Sequence, residues 1–440
     1  MKRSNVGTAH RLGPARIIAV SCMLVVLTAF PAQATTNGHI LIGVGAVNQS
    51  MGGAGIATSL DAIGSCYSNA GSISFVRSSS AEFVMDLFTP HRTMFASIPG
   101  VAAGSVTSRT EQAIIPGMSF LDKPLNSRFS YALCALGIAG MGVSYPAVMP
   151  NAGGQFNPLA VPQSFGGFGA IYSNQQFLQV TPTVAYMLSP RLSLGLGLDS
   201  DWQSLQVSPF AATPPNASGY PVSSPASSSF GSGFTVGLAW RPDEKLELGV
   251  VYKSPQHMQT MQYTSQYPDG TPATFGFRLD YPMIVGAGIG YQLTPKLLVA
   301  ADEHWIDYAN TRGFSQSGFA QNGAVRGFGW RSIYATAVGL QYSVNGRLAV
   351  RAGYNHSDNP VPPSQQFFNV FAPALIQNSA TAGAGYQIDG ARTIDVVYLH
   401  GFSNAVSGPA YMTNNAAIPN SVVRNRLSEN ELSLQFRFKI

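Results

Sequence analysis

Two cations within alternating segments are the residues of this 440-residue chain best suited to bind a charged ligand. Lys253 and Arg351 share the polar parity of their segments with small and acidic residues. A cation left partly unpaired beside apolar side chains could form a charge-assisted hydrogen bond with a carboxylate. The alternative is that these cations pair with acids of the same parity, such as Asp199, Asp395 and Glu431, and brace a wall. The polar parity therefore predicts either a carboxylate site or structural ion pairs.

Two long connections between alternating segments are unusually apolar and are the second candidate for ligand binding. They span Gln155–Tyr172 and Pro363–Asn378. Exposed apolar loops are unfavourable unless they pack on one another or bind something. The sequence predicts either mutual capping or an apolar ligand site. The candidate residues in these loops are Phe165, Phe168, Ile171, Tyr172, Phe367, Phe368, Phe371 and Leu375.

Enzyme motifs are missing from the sequence. It contains no H-E-x-x-H, no Cys-His spacing of a zinc site, no G-x-S-x-G elbow and no P-loop spacing. Asp302 and His304 share one strand parity, but a pair of lumen polar residues explains them better than a metal site. The net charge of +5 is spread thinly, which disfavours nucleic acid as a partner. We predict no catalysis, no cofactor and no metal.

A membrane β-barrel explains the composition that surrounds these residues. Charged residues are only 10% of the chain, yet no internal apolar run is long enough for a membrane helix. Leucines from Leu192 to Leu198 alternate with Ser193, Gly195 and Gly197, which is the period of a strand with one apolar face. The polar parity is mostly small residues, as in a packed lumen. The fold class predicted is all-β, a transmembrane antiparallel β-barrel.

The connections predict the number of strands. Very short turns such as Asn345-Gly346 and Asp389-Gly390 are typical of two-residue hairpins. They alternate with long connections, as periplasmic turns alternate with extracellular loops in bacterial barrels. This alternation predicts about 14 strands. The long connections are expected at roughly 91–111, 145–175, 207–229, 263–272, 309–330, 359–378 and 403–426.

The N-terminal region is predicted to hold two segments before the barrel. Residues 1–34 have a basic start, an apolar run and an Ala-x-Ala site, which predict a cleaved signal peptide. Residues 35–78 contain a Gly-, Ala- and Ser-rich stretch with one acid, Asp61, and one base, His39, and are predicted to plug the lumen of a barrel formed by 79–440. Of the cysteines that remain after cleavage, Cys66 and Cys134 are expected to be free and buried rather than paired.

The sequence resembles the FadL family of outer-membrane transporters over nearly all of the mature chain. The resemblance is carried by Met51-Gly-Gly-Ala-Gly-Ile-Ala57 with Tyr67-Ser-Asn-Ala-Gly71, by Thr181–Gly197, by Leu248-Gly-Val-Val-Tyr-Lys-Ser-Pro255, and by Arg351–Pro362 with Phe367–Pro373. It implies a fourteen-stranded barrel closed by an N-terminal hatch, with Ser68, Asn69, Ala70 and Gly71 in the hatch motif. The family's hatch usually has Asn-Pro-Ala where this chain has Ser68-Asn69-Ala70, so the local turn is expected to differ.

The resemblance also implies a transport route and its partners. Apolar extracellular loops capture a hydrophobic ligand, and release is sideways at a kinked third strand. That strand is expected near Ser130–Val143, where Gly137, Gly140 and Gly142 would allow a kink. Passive uptake of long-chain fatty acids is predicted first; aromatic hydrocarbon uptake and a structural or adhesin-type barrel are the alternatives. Expected partners are outer-membrane lipid, lipopolysaccharide and the barrel assembly machinery, with the chain a monomer in the outer membrane.

Overall fold

A computed structural model describes residues 36–109, 112–222 and 224–440 of the chain. The predicted signal peptide lies outside these ranges. No helix in the described ranges combines the length and the apolar character that a membrane crossing requires.

Strands dominate the described residues, and helices are short. The helices are α1 (Ala46–Ser50) and α2 (Ala62–Ser68), with 3-10 turns at Ala70–Phe75, Gln163–Phe165, Tyr308–Asn310, Pro363–Gln365 and Phe367–Asn369. The strands are β1 (Thr36–Asn37), β2 (Ile40–Leu41), β3 (Ser80–Ile98), β4 (Ala102–Thr107), β5 (Ala113–Asp122), β6 (Phe129–Tyr145), β7 (Ile171–Ser189), β8 (Leu192–Ser208), β9 (Ser227–Trp240), β10 (Leu246–Lys253), β11 (His257–Met258), β12 (Met261–Gln266), β13 (Pro272–Phe277), β14 (Ile284–Thr294), β15 (Leu297–Ile306), β16 (Ile333–Ser343), β17 (Leu348–Ser357), β18 (Asn378–Gln387), β19 (Arg392–Gly408) and β20 (Val422–Lys439).

These strands close into a 14-stranded antiparallel barrel, which confirms the predicted fold class. The last strand, β20, pairs with the first wall strand, β3, from Lys439↔Ser80 to Val422↔Ser97. At two of the 14 places in the wall, two consecutive strands lie end to end and count as one. These are β4 with β5, which both pair with β3, and β10 with β11, which both pair with β9. Strands β12 and β13 form a separate hairpin outside the wall. Because the first and last wall strands pair, neither is left as a free sheet edge, as a membrane requires.

The wall has an apolar outer face and a polar inner face. Leu194, Leu196 and Leu198 on β8 are 44%, 41% and 57% exposed, whereas Ser193 and Asp199 on the other parity are buried. Because successive side chains of a strand point to opposite faces, the exposed leucines are lipid-facing.

The connections agree with the predicted alternation except at two places. The long connection expected at 91–111 is wrong, because β3 continues to Ile98 and β4 begins at Ala102, so a short turn joins two extended strands. The connection expected at 263–272 is longer, since it starts after Lys253 and contains the β12–β13 hairpin. In both cases residues beyond the membrane pair with one another, which a pattern of lipid-facing residues does not detect.

The third wall strand, β6, bends at the predicted position. Its pairing with β5 ends at Gly117↔Leu136, and its register with β7 shifts between Gly137 and Ala139. Both parities of β6 are buried over residues 136–143, although an outward parity facing lipid would be exposed. This part of β6 therefore lies inside the cylinder of the wall. Backbone hydrogen bonding between β6 and its neighbour on this side resumes only at Ser144. The carbonyl of Ser144 accepts from the amide of Arg109, just after β4, at 2.9 Å.

Residues 36–76 lie inside the barrel, and we divide them into an arm (36–41) and a hatch body (43–76) that are joined at Ile42. Four wall strands bind the body: Asp302 Oδ2 accepts from Gly55 N and Ile56 N at 2.6 and 2.7 Å, and Glu82 accepts from Ala62 N. The Nδ2 atoms of Asn355 and Asn69 complete the set, donating to the carbonyls of Gly52 and Leu238 at 3.1 and 3.0 Å.

The body also touches the wall where only glycine fits. A Cβ on Gly195 of β8 would lie 2.2 Å from the carbonyl carbon of Ala70. On the neighbouring strand a Cβ on Gly237 would lie 1.9 Å from Asn69 Oδ1. These wall glycines let the hatch motif pack directly against backbone.

A disulfide joins Cys66 of α2 to Cys134 of β6, so the expectation of free thiols is wrong. The two residues are 68 positions apart, and only the fold brings their Cα atoms to 6.7 Å. An oxidising compartment such as the bacterial periplasm permits this bond. The body of the hatch is thus covalently attached to the kinked strand.

Candidate functional site

An apolar cavity lies among the long loops, where the candidate phenylalanines were predicted to bind. Its volume is about 70 Å³, and its lining includes Phe368 and Phe371 together with Met141 of the kinked segment. Further lining comes from loops that the sequence analysis did not select, through Phe210, Phe277 and Phe328. Aromatic and aliphatic walls with almost no polar atoms suit an apolar ligand.

The loop residues predicted to bind ligand separate into three groups. Phe168 packs beside Phe367 and Phe371, with ring centroids 5.9 and 5.8 Å apart. Phe367 belongs to a buried cluster that also contains Ile171, and this matches the capping alternative. Phe165 is 58% exposed.

The remaining loop candidates lie at the edges of this region. Tyr172 is the second residue of β7, where it pairs with Ser208. Leu375 is fully buried in the main core cluster, which also includes Met141. Among the predicted loop residues, Phe368 and Phe371 are therefore the ones that line the cavity.

A cage of aromatic rings surrounds His39 of the arm. The imidazole centroid lies 4.7 Å from Phe314, 5.5 Å from Tyr308, 5.7 Å from Tyr281 and 6.1 Å from Trp330. We call Tyr281, Tyr308, Phe314 and Trp330 the ring cage. Burial lowers the pKa of His39 to about 3, so the imidazole is neutral here at ordinary pH.

Hydrogen bonds to one tyrosine hydroxyl hold the arm in the cage. Tyr308 Oη donates to Asn37 O at 2.8 Å and accepts from His39 N at 3.2 Å. His39 Nδ1 lies 3.1 Å from the same oxygen. All three contacts are satisfied when Nδ1 carries the proton and donates to Tyr308. Gly38 is required for this approach, because its φ is +79° and a Cβ would lie 2.5 Å from Tyr308 Oη.

The arm connects the cage to the kinked strand. Ile40 of β2 pairs with Ala139 of β6, and Gly140 N donates to His39 O at 3.1 Å. The arm thus occupies the place between the cage and the part of β6 that has lost its pairing with β5.

Lys253, the first of the two predicted headgroup cations, is buried in the lumen near the cage. Its Nζ donates to Gln179 Oε1 at 3.0 Å and lies 5.0 Å from the ring centroid of Tyr67 and 5.9 Å from that of Tyr281. Its ammonium is attracted by Asp199 and Asp201. Lys253 is therefore close to the proposed route and already has polar and aromatic partners.

Arg351, the second predicted cation, lies in an ion pair. Its Nη1 is 2.9 Å from Asp395 Oδ1, and its Nε donates to Gln341 at 2.7 Å. Arg437 binds the second oxygen of the same carboxylate at 2.7 Å. This network joins β17, β19 and β20 and matches the bracing alternative.

The hatch motif residues lie against the wall, outside the ring cage. Ser68 ends α2, and Asn69 begins the following 3-10 turn by accepting from Gly71 N at 2.9 Å. Asn69 Nδ2 also donates to Ile56 O at 2.8 Å. In place of the family's proline, the Asn69 side chain fixes the turn, and Ala70 packs against Gly195.

The ring cage was missed by the sequence analysis although its residues have a recognisable signal. Phe314 and Trp330 lie in the connection predicted at 309–330, which is as rich in aromatic residues as the two selected loops. Applying the same rule to that connection would have selected them. Tyr281, Tyr308 and His39 have no such signal, because only the fold brings them to this loop.

Comparison with known proteins gives one family and several similar structures. A sequence model of the family described as "Outer membrane protein transport protein (OMPP1/FadL/TodX)" matches residues 27–415. No significant match was found among curated protein sequences.

The similar structures include two toluene transporters and a FadL homologue. A Pseudomonas aeruginosa FadL homologue has a TM-score of 0.71 at 17% identity, covering 91% of this chain and 99% of its own. The P. putida toluene transporter TodX has a TM-score of 0.67 at 16% identity, covering 90% and 99%. The Ralstonia pickettii toluene transporter TbuX has a TM-score of 0.61 at 18% identity, covering 90% and 98%. At these identities the similarity concerns the fold.

Proposed function

Because the chain belongs to the OMPP1/FadL/TodX family of outer-membrane transport proteins, we propose that it takes up small monoaromatic compounds passively from the cell surface. The observation that carries this ligand class is the unbroken series of aromatic rings from the loops into the lumen. Phe328 lines the apolar cavity and also lies 5.7 Å from Phe314 and 5.9 Å from Trp330 of the ring cage. Cavity and cage therefore share a wall, along which an apolar ring could move without entering water.

The route then continues to the side of the barrel. A ligand that leaves the cage meets the arm and the inward segment of β6, where the pairing with β5 is missing above Leu136. Met141 of this segment also lines the apolar cavity. Sideways release into the membrane keeps an apolar ligand on apolar surface, whereas a watery pore would require its hydration.

Long-chain fatty acids are the second candidate, and Lys253 is the observation that favours them. Its ammonium lies beside the rings of Tyr67 and Tyr281 and could donate to a carboxylate. The fatty-acid reading is weaker because Gln179, Asp199 and Asp201 already compensate this charge and Arg351 is paired with Asp395.

Binding of toluene to the purified full chain, and uptake of toluene into cells, test the ligand class. Phe371→Ala should weaken toluene binding about tenfold, since removing one aromatic wall of the cavity costs at most about 2 kcal/mol. Phe165→Ala is the matched control, because its exposed ring does not line the cavity, and it should bind toluene like the parent.

The same measurement with oleate separates the two candidates. Lys253→Met should leave toluene binding unchanged; if fatty acid is the ligand, it should weaken oleate binding by about ten- to a hundredfold. Oleate binding by a parent protein that takes up no toluene would contradict the monoaromatic assignment and leave fatty acids as the ligand.

A further inference from the structure

The ring cage is a binding site whose occupant is part of the protein itself. The four rings approach the imidazole of His39 from 4.7 to 6.1 Å, which is the range of aromatic pairs. They also contact one another: Tyr308 lies 4.9 Å from Trp330, and Phe314 lies 4.6 Å from Trp330. The space filled by the imidazole therefore has the width of one aromatic ring.

The imidazole that fills the cage lacks a hydrogen-bond partner at one of its two nitrogens in the described part of the chain. His39 is fully buried, yet its Nε2 has no hydrogen-bond partner among the described residues. A buried polar atom without a partner costs free energy. The imidazole therefore binds in the cage less favourably than a ring without this nitrogen would. The arm is attached to the wall by hydrogen bonds alone, namely its β-bridge to β6 and a bond from Thr36 to Glu429, whereas the disulfide covalently links the hatch body to β6. Of the two parts, the arm is the one that can move while the body stays.

The hydroxyl of Tyr308 is a polar atom of the cage that faces its occupant. Tyr308 Oη accepts from His39 Nδ1 at 3.1 Å, on the edge of the imidazole ring. Once His39 leaves, the same oxygen can accept from another ring that carries a donor. A phenolic or anilinic ring meets both requirements, because it has an aromatic face for the cage and one hydrogen-bond donor for Tyr308.

We propose that Tyr281, Tyr308, Phe314 and Trp330 form a subsite for a monocyclic aromatic ring bearing one hydrogen-bond donor, and that His39 fills this subsite until such a ring displaces it. The proposal rests on the proposed function, since the ring reaches the cage from the apolar cavity by way of Phe328. His39 is then an internal competitor of the ligand. The apparent affinity of the cage is reduced by the fraction of molecules in which the imidazole occupies it.

Titration calorimetry of the purified full chain with phenol and with toluene tests the competition. His39→Ala should tighten the binding of both ligands about tenfold or more, as expected when the free cage is a minor state of roughly a tenth of the molecules or fewer. His39→Phe should abolish the gain, because a phenyl ring refills the cage without an unpaired nitrogen. Ile40→Ala loosens the arm but keeps the imidazole, and it should give a smaller gain than His39→Ala.

Comparing the two ligands within one variant tests the role of the Tyr308 hydroxyl. In His39→Ala, phenol should bind about three- to tenfold more tightly than toluene, the effect of one neutral hydrogen bond. Adding Tyr308→Phe should remove this preference while toluene binding stays close to that of His39→Ala. Because the readout is a ratio measured on one protein, a general loss of stability does not imitate it.

Two results would overturn the proposal. One is an unchanged affinity of His39→Ala for both ligands; the other is an equal gain in His39→Phe, which would show that the cage need not be vacant. If the parent binds toluene through Phe371 and His39→Ala has no effect, the cage proposal fails and the proposed function stands. If neither the parent nor His39→Ala binds any aromatic ligand while oleate binds, both fail.

Discussion

The arm and the hatch body lie in the same lumen, but they are held there by different interactions. Charged and amide side chains of the wall bind the body: Asp302 accepts from two consecutive amides, Glu82 accepts from the start of α2, and Asn355 donates to Gly52 O. A disulfide adds a covalent attachment. Aromatic packing, the hydroxyls of Tyr308 and Tyr67, one β-bridge and one backbone hydrogen bond from Thr36 to Glu429 hold the arm, which has no covalent link to the wall within the described residues.

This difference indicates which part of the plug can respond to a ligand. Breaking a charged hydrogen bond inside the barrel leaves a buried charge without its partner, so the body is costly to move. Aromatic contacts of the arm can be replaced by the same contacts with another ring at little net cost. We therefore expect the body to close the lumen and the arm to control the passage between the ring cage and β6.

Removing the whole plug should have the largest effect. Deletion of 36–76 should convert a barrel with little ion conductance into a large open channel, because the body fills the lumen. Conductance of the purified protein in planar bilayers measures this.

The control for the plug deletes only the arm, residues 36–41. Conductance should then stay close to that of the parent, since the body remains attached to the wall. A large channel in the arm deletion, or a large conductance in the intact protein, would contradict the assignment of closure to the body.

Loss of the disulfide should have the next largest effect. Replacing Cys66 and Cys134 together with serine should lower the free energy of unfolding by about 2–4 kcal/mol, as for a cross-link that closes a long loop. Chemical denaturation of the folded barrel, followed by its shift on gel electrophoresis, measures the change.

The arm provides the comparison for the disulfide variant. Protease cleavage of 43–76 should accelerate, while the pH response of the arm described below should be retained. Equal protection of the body in the variant and the parent would mean that the hydrogen bonds to the wall are sufficient without the covalent link.

Acidification should release the arm and leave the body in place, which is the smallest of the three effects. The pKa of His39 is about 3 in the cage and about 6.5 when the arm is free, so the released arm binds a proton that the seated arm does not. Binding of the arm in the ring cage is therefore most favourable above pH 6.5, and its free energy becomes less favourable as the pH falls towards 3. Between pH 6.5 and pH 5 the loss is roughly 2 kcal/mol, at 1.36 kcal/mol per pH unit.

The groups that face His39 do not oppose this direction. Tyr281 and Tyr308 stay neutral in acid, and the ammonium of Lys253, 5.9 Å from the Tyr281 ring, disfavours a second positive charge nearby. Fluorescence of Trp330 reports the release, because the imidazole lies against its ring. In His39→Phe the fluorescence should not depend on pH over this interval; a dependence that persists there would assign the titration to another group.

Much of the fold could be predicted from local patterns, and the parts that could not are those that depend on contacts between distant segments. Alternation in segments such as Leu192–Leu198 requires one apolar face, and the short turns at Asn345-Gly346 and Asp389-Gly390 require antiparallel neighbours. The bend in β6 follows from the glycines at 137, 140 and 142 together with the family resemblance. The extended β3–β4 hairpin was missed because its pairing is outside the membrane, where one face need not be apolar.

The candidate site divides in the same way. The sequence alone determines that the loops are rich in phenylalanine and that Lys253 and Arg351 have inward parity, since both follow from residue type and a period of two. Only the tertiary structure decides that Arg351 is paired and that Cys66 meets Cys134. It also decides that His39 enters a cage drawn from the segment before β14 and the connection after β15. Those contacts join residues up to about 270 positions apart, and a distance of that kind is set by barrel closure, not by any local pattern.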